Sequence, residues 1–70
     1  MKPHPQRKRM KQARESADLS QRAAAEHFGA SRRAIRETEA RPTPPEEHTL
    51  ERYSVMTGKP VRWFRTGRYQ

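Results

Sequence analysis

Three arginines, Arg32, Arg33 and Arg36, fall within five consecutive positions, and Glu37 follows directly. A guanidinium carries paired N–H donors in a rigid fork, which matches two coplanar acceptors such as guanine O6 and N7 or two phosphate oxygens. A carboxylate beside it can accept from an amino group, cytosine N4 among them. The same residues also suit a solvated helix face, where Arg33 and Glu37 would form an i,i+4 ion pair contributing about 0.2–0.5 kcal/mol. Other constellations offer less chemistry. His48 and Glu51 stand at i,i+3, a spacing metal ligands use, but the sequence supplies no third ligand. No nucleophile is accompanied by a base and an orienting group, so no catalysis is expected. Trp63 and Phe64 could stack on single-stranded bases, yet aromatics in this setting more often fill a core or an interface.

The charge map narrows the partner. The chain carries 16 Lys and Arg against 8 Asp and Glu, a net charge of +8. Lys2, Arg7, Lys8, Arg9, Lys11 and Arg14 crowd the first 14 residues with no acid among them, and Lys59, Arg62, Arg65 and Arg68 do the same from residue 59 onward. The stretch between is near neutral. A polyanion is the natural partner, because each cation placed on a phosphate releases condensed counterions.

Length and composition bound the fold. Seventy residues make one domain, and with 30% hydrophobic residues its core is thin. There is no cysteine, so neither a disulfide nor a thiolate-held zinc can staple it. Helix–helix packing must therefore carry stability. No apolar run approaches the roughly 20 residues of a membrane span, and no signal-peptide core follows the basic N-terminus. The expected setting is a reducing, soluble compartment, with no membrane, cofactor, metal or small-molecule ligand.

The elements that would position Arg32–Glu37 are all helical. Residues 1–6 read as an extended basic arm, since Pro3 and Pro5 disfavour a regular start. From Gln6 to Ala17 helix formers dominate, with Met10, Ala13 and Ala17 on one face. Asp18 follows, tolerant of the left-handed conformation that ends helices. Ser20 caps a second helix over Gln21–Phe28, and Ser31 caps a third over Arg32–Ala40. Thr43 and Glu46 have capping-box spacing with Pro44 at the first helical position, which predicts a fourth helix running to about Thr57 with Leu50, Tyr53 and Thr57 inward. Pro60 opens a fifth over Val61–Thr66, and the domain ends at Gly67 with residues 68–70 a frayed tail. No stretch alternates with period two, so no sheet is expected.

The turn Gly29-Ala30-Ser31 joins the second and third helices at a steep angle. Small Ala25 allows close approach, and Ile35 anchors the third helix. One helix can then brace on a backbone while the other enters a major groove. Here the sequence resembles a known family. Residues 21–40, QRAAAEHFGASRRAIRETEA, are similar to the twenty-residue helix-turn-helix of lambdoid phage repressors and Cro proteins, the Xre type, through Gln21, Ala25, Gly29 and Ile35. Leu19-Ser20 and Glu39 also fit, as does the closing Gly58–Gly67 stretch with Trp63-Phe64. Ala24 and Thr38 depart from the pattern, standing where larger apolar residues are usual.

The resemblance implies an all-α fold, a compact bundle of about five short helices spanning residues 7–67, and a double-stranded DNA partner. It implies base contacts from Arg32, Arg33 and Glu37, with Arg36 on the same face, and phosphate contact from Gln21. Arg7, Lys8, Arg9, Ser31 and Arg41 are further phosphate candidates. The expected activity is sequence-specific transcriptional regulation of a phage or prophage Cro or immunity-repressor type, on a palindromic operator containing G·C pairs. Binding as a weak homodimer, or one formed on DNA, is expected, with Trp63, Arg62 and Met56 as the candidate seam. No effector-binding domain, and so no ligand-switched regulation, is expected after the fifth helix. Two rivals stand beside this: an excisionase-like architectural protein that bends DNA, and an antitoxin-type module docking through its Trp63-Phe64 end.

Overall fold

Several helix ends are set by local groups that satisfy the backbone donors and acceptors a helix end leaves free. In the computed structural model, which describes residues 2–69, five helices form: α1 (Pro5–Ser16), α2 (Gln21–Phe28), α3 (Arg32–Ala40), α4 (Glu47–Thr57) and α5 (Val61–Thr66). No strand occurs among the described residues.

The expected arm is shorter than residues 1–6. Pro5 occupies the first turn, where its fixed φ suits a helix and its missing N–H leaves nothing unpaired. His4 caps it, its Nδ1 accepting from the Gln6 amide at 3.1 Å. The His4 amide donates to the Arg41 carbonyl at 2.9 Å, so the arm's end is tied to the far side of α3. Met1 lies outside the described residues.

Asp18 takes the left-handed conformation at φ 58°. The Leu19 amide reaches the Arg14 carbonyl and the Asp18 amide that of Glu15, both at 3.0 Å, the paired bonds of a Schellman ending. Gly29, at φ 65°, ends α2 the same way, with Ala30 N–H bonded to the Ala25 carbonyl at 2.8 Å. Ser20 and Ser31 cap α2 and α3, their Oγ atoms accepting from Ala23 N at 3.0 Å and Ala34 N at 3.1 Å. The predicted capping box does not form. Helix α4 begins at Glu47 with Glu46 as its cap residue, and no side chain caps it. The carbonyls of Thr43 and Pro44 accept instead from Arg7, and residues 42–45 lie outside the helix.

Two apolar clusters share one core. Met10, Ala13, Leu50, Tyr53, Trp63 and Phe64 form the larger, and Ala24, Ala25 and Ile35 the smaller; Phe28 and Met56 pack against both. Each fully buried large side chain contributes about 1.5–3 kcal/mol. Helix α1 crosses α3, α4 and α5, while α2 packs chiefly on α3. The Cα radius of gyration is 10.9 Å, against about 11 Å for a single compact unit of this length. Ala17, expected inside, is exposed, whereas Arg7 and Arg14 occupy the buried face of α1.

Candidate nucleic-acid interface

Helix α3 presents two sharply different faces. Ile35 and Glu39, one turn apart, are 2% and 5% exposed. Arg32, Arg33, Arg36 and Glu37 are all exposed; by helical period Arg33 and Glu37 lie opposite Ile35, while Arg32 and Arg36 flank the buried stripe. Arg33 Nε donates to Glu37 Oε1 at 3.1 Å, with their side chains 84% and 52% accessible. An exposed pair of this kind contributes little to stability, so it leaves both groups available to a ligand. Ser31 is also exposed, its Oγ engaged as an acceptor by Ala34 N.

A buried polar network holds that face at a fixed pitch. Arg14 on α1 donates from Nε and Nη2 to the two oxygens of Glu39 at 2.8 and 3.0 Å, and from Nη1 to the Leu19 carbonyl at 2.7 Å. Tyr53 of α4 donates its hydroxyl to Glu39 Oε2 at 2.7 Å. One carboxylate thus joins α1, α3 and α4. No buried side-chain polar atom is left unpaired among the described residues, the condition under which such a network specifies one arrangement. Its electrostatics agree. The bond to Glu39 raises the Arg14 pKa against the opposing effect of burial. Burial, then the bond to Glu39, pushes the Tyr53 hydroxyl well above the usual phenol range. Nothing in the sequence pattern marked Arg14 and Tyr53 as partners of Glu39, although Arg7, Met10 and Arg14 recur at i, i+3, i+7.

Arg7 is not at the surface, as expected of a phosphate contact, but 6% exposed. It donates to the carbonyls of Thr43 at 2.6 Å, Thr38 at 2.7 Å and Pro44 at 3.3 Å. Burial, then the nearby Arg41 charge, lowers its pKa, yet a guanidinium stays charged. Its charge sits favourably against the C-terminal carbonyls of α3. Arg9 is likewise turned inward and half-buried, donating to the carbonyls of Phe64 at 2.6 Å and Arg65 at 2.9 Å. Arg7 thus spans the last turn of α3 and the loop after it, and Arg9 the last turn of α5. Lys8 and Arg41 remain exposed, and Gln21 is half-buried at the start of α2.

The candidate seam also changes. Trp63 is 9% exposed and belongs to the larger cluster, and Met56 is half-buried against both. Only Arg62 is open. The tail does not splay from residue 68: the Tyr69 ring stacks on Trp63 at 6.3 Å, and Lys59 Nζ lies 5.1 Å and 5.2 Å from the two ring centres. Gln70 lies outside the described residues. No group of three His, Asp or Glu side chains is arranged to hold a metal, and no helix is long and apolar enough to cross a membrane, among the described residues.

Comparison with known proteins agrees with this geometry. A helix-turn-helix family model matches residues 10–64. No curated protein and no solved structure matches the chain. With a short capped helix turned outward from a Gly29 corner, and the matched region spanning most of its length, the chain belongs to the Cro/Xre-type helix-turn-helix family of double-stranded DNA-binding regulators.

Proposed function

We propose that this protein is a sequence-specific transcriptional regulator of the Cro or immunity-repressor kind, acting on an operator in a bacterial host of a phage or prophage. The observation that carries the reading is the outward face of α3, where Arg32, Arg33, Arg36 and Glu37 are exposed around a buried Ile35–Glu39 anchor. Arg33 is the principal base reader, forking onto a guanine, and Glu37 aims it through their 3.1 Å bond. Arg32 reads beside it. Gln21, Ser31, Lys8 and Arg41 contact phosphates, which set register without carrying sequence.

Protomers pair on DNA rather than beforehand. With Trp63 and Met56 turned inward, the α5 end offers Lys59, Arg62 and Arg68 around Tyr69, so two copies meeting there set like charges against each other. A polyanion relieves that repulsion. Recognition helices then lie about one helical turn of DNA apart.

Unbiased selection of bound DNA fragments at physiological salt tests the reading. A palindromic motif containing G·C pairs is expected, and Arg33→Ala should relax preference at one base position per half-site at a cost of about 1–3 kcal/mol. Enrichment without any motif overturns sequence-specific regulation in favour of an architectural role.

A further inference from the structure

Beside α3, on the side facing α1, runs an open groove of about 430 Å³. Lys8, Lys11 and Gln12 from α1, Gln21 from α2 and Arg36 from α3 all line it. Lys8 and Lys11 are one turn apart on α1, so their ammonium groups rise side by side. Lys8, Lys11 and Arg36 are all exposed, and none of them is in an ion pair among the described residues. Two carboxylates also reach the groove. Glu39 has both oxygens engaged by Arg14 and Tyr53, which leaves Glu15 as the opposing charge at the rim.

The other flank of α3 is different in kind. Its smaller hollow, about 170 Å³, has Phe28, Ala34 and Ile35 among its walls, and Arg52 is its one arginine or lysine. Arg52 lies over the Phe28 ring, 5.9 Å from its centre. The basic residues of α1 are sorted in the same sense. Arg7, Arg9 and Arg14 spend their donors on internal acceptors, whereas Lys8 and Lys11 remain at the groove.

We propose that this groove holds the phosphodiester backbone of the DNA strand bordering α3, with Lys8, Lys11 and Arg36 each on a phosphate. Arg36 is then a backbone contact and not a base reader, and α1 is part of the DNA-binding surface. The proposal rests on the DNA-binding reading above, and it divides the α3 face: Arg32, Arg33 and Glu37 toward bases, Arg36 toward the strand on the α1 side.

Binding of a selected operator and of an unrelated duplex, measured against salt concentration, tests this. Each phosphate contact contributes a slope of about 0.9 in log affinity against log salt, equivalent to about eightfold in affinity at 0.1 M. Lys8→Gln with Lys11→Gln is expected to lower the slope by about 1.8 and weaken both duplexes about 60-fold. Arg36→Ala should lower it by about 0.9 and leave base preferences unchanged. All three side chains are exposed, so thermal unfolding followed by circular dichroism should stay at the parent temperature. Arg52→Gln with Arg65→Gln removes the same charge from α4 and α5, away from the groove, and should change the slope less. An equal loss in that control overturns the groove as a site and leaves only general charge. A loss of preference at one base pair in Arg36→Ala overturns the reassignment of Arg36. Either failure leaves DNA binding intact, whereas absence of any duplex binding by the parent protein is failure of the functional reading itself.

Discussion

Replacing Glu39 with Gln changes one atom and should cost this small domain much of its stability. In the native arrangement Arg14 directs two donors at the two carboxylate oxygens, and Tyr53 adds a third to Oε2. The amide offers one acceptor oxygen and one NH2, so a donor of the Arg14 fork faces another donor. The guanidinium, about 4% exposed as a residue, then keeps its charge without a counter-charge. Removing one partner of a buried pair costs about 3–5 kcal/mol. A chain of this length has a total stability of about 3.5–10 kcal/mol at 0.05–0.15 kcal/mol per residue. Urea unfolding followed by circular dichroism at 25 °C should therefore show Glu39→Gln with its midpoint reduced by about a third or more and an unchanged slope. Removing the whole network, with Arg14→Met, Glu39→Leu and Tyr53→Phe together, should recover most of the loss, because apolar replacement of a buried pair is often neutral or better. A loss below about 1 kcal/mol in the single variant would refute the reasoning, since it would mean that water reaches Arg14.

Two further outcomes follow from neighbouring groups. Tyr53→Phe should cost about 1–2 kcal/mol at neutral pH through the lost bond to Glu39 and should flatten the alkaline limb of stability. The folded-state pKa of Tyr53 is raised, so its contribution is complete below pH 10 and is lost as pH rises above the unfolded phenol value of about 10; unfolding midpoints between pH 8 and 11 check this. Arg7→Met should destabilise by about 1.5–3 kcal/mol, because three carbonyls at the end of α3 and in the following loop lose a charged donor. Differential scanning calorimetry should show the midpoint falling by roughly 10 °C, while a surface phosphate role for Arg7 would leave it in place and lower DNA affinity alone.

Much of this architecture is local. Ser20, Ser31, Asp18 and Gly29 mark their helix ends because each acts on a backbone group within about five residues, and the outward face of α3 follows from Ile35 by helical period. That is why α3, the corner before it and its exposed arginines are legible in the sequence. What the tertiary structure alone decided is how each basic side chain is used. Composition counts Arg7, Lys8 and Arg9 as equivalent cations on one segment, but Arg7 finds carbonyls of α3 and of the loop after it, Arg9 those at the end of α5, and Lys8 the open groove. The expected capping box at Thr43 does not form, the Thr43 and Pro44 carbonyls accepting from Arg7, and Trp63 and Met56 pack with the core where a seam was expected. The union of Arg14, Glu39 and Tyr53 depends on separations of 25 and 14 residues. A sequence pattern records the period of one helix, whereas a guanidinium's partner is set by which carbonyls and carboxylates the packed helices bring within 3 Å.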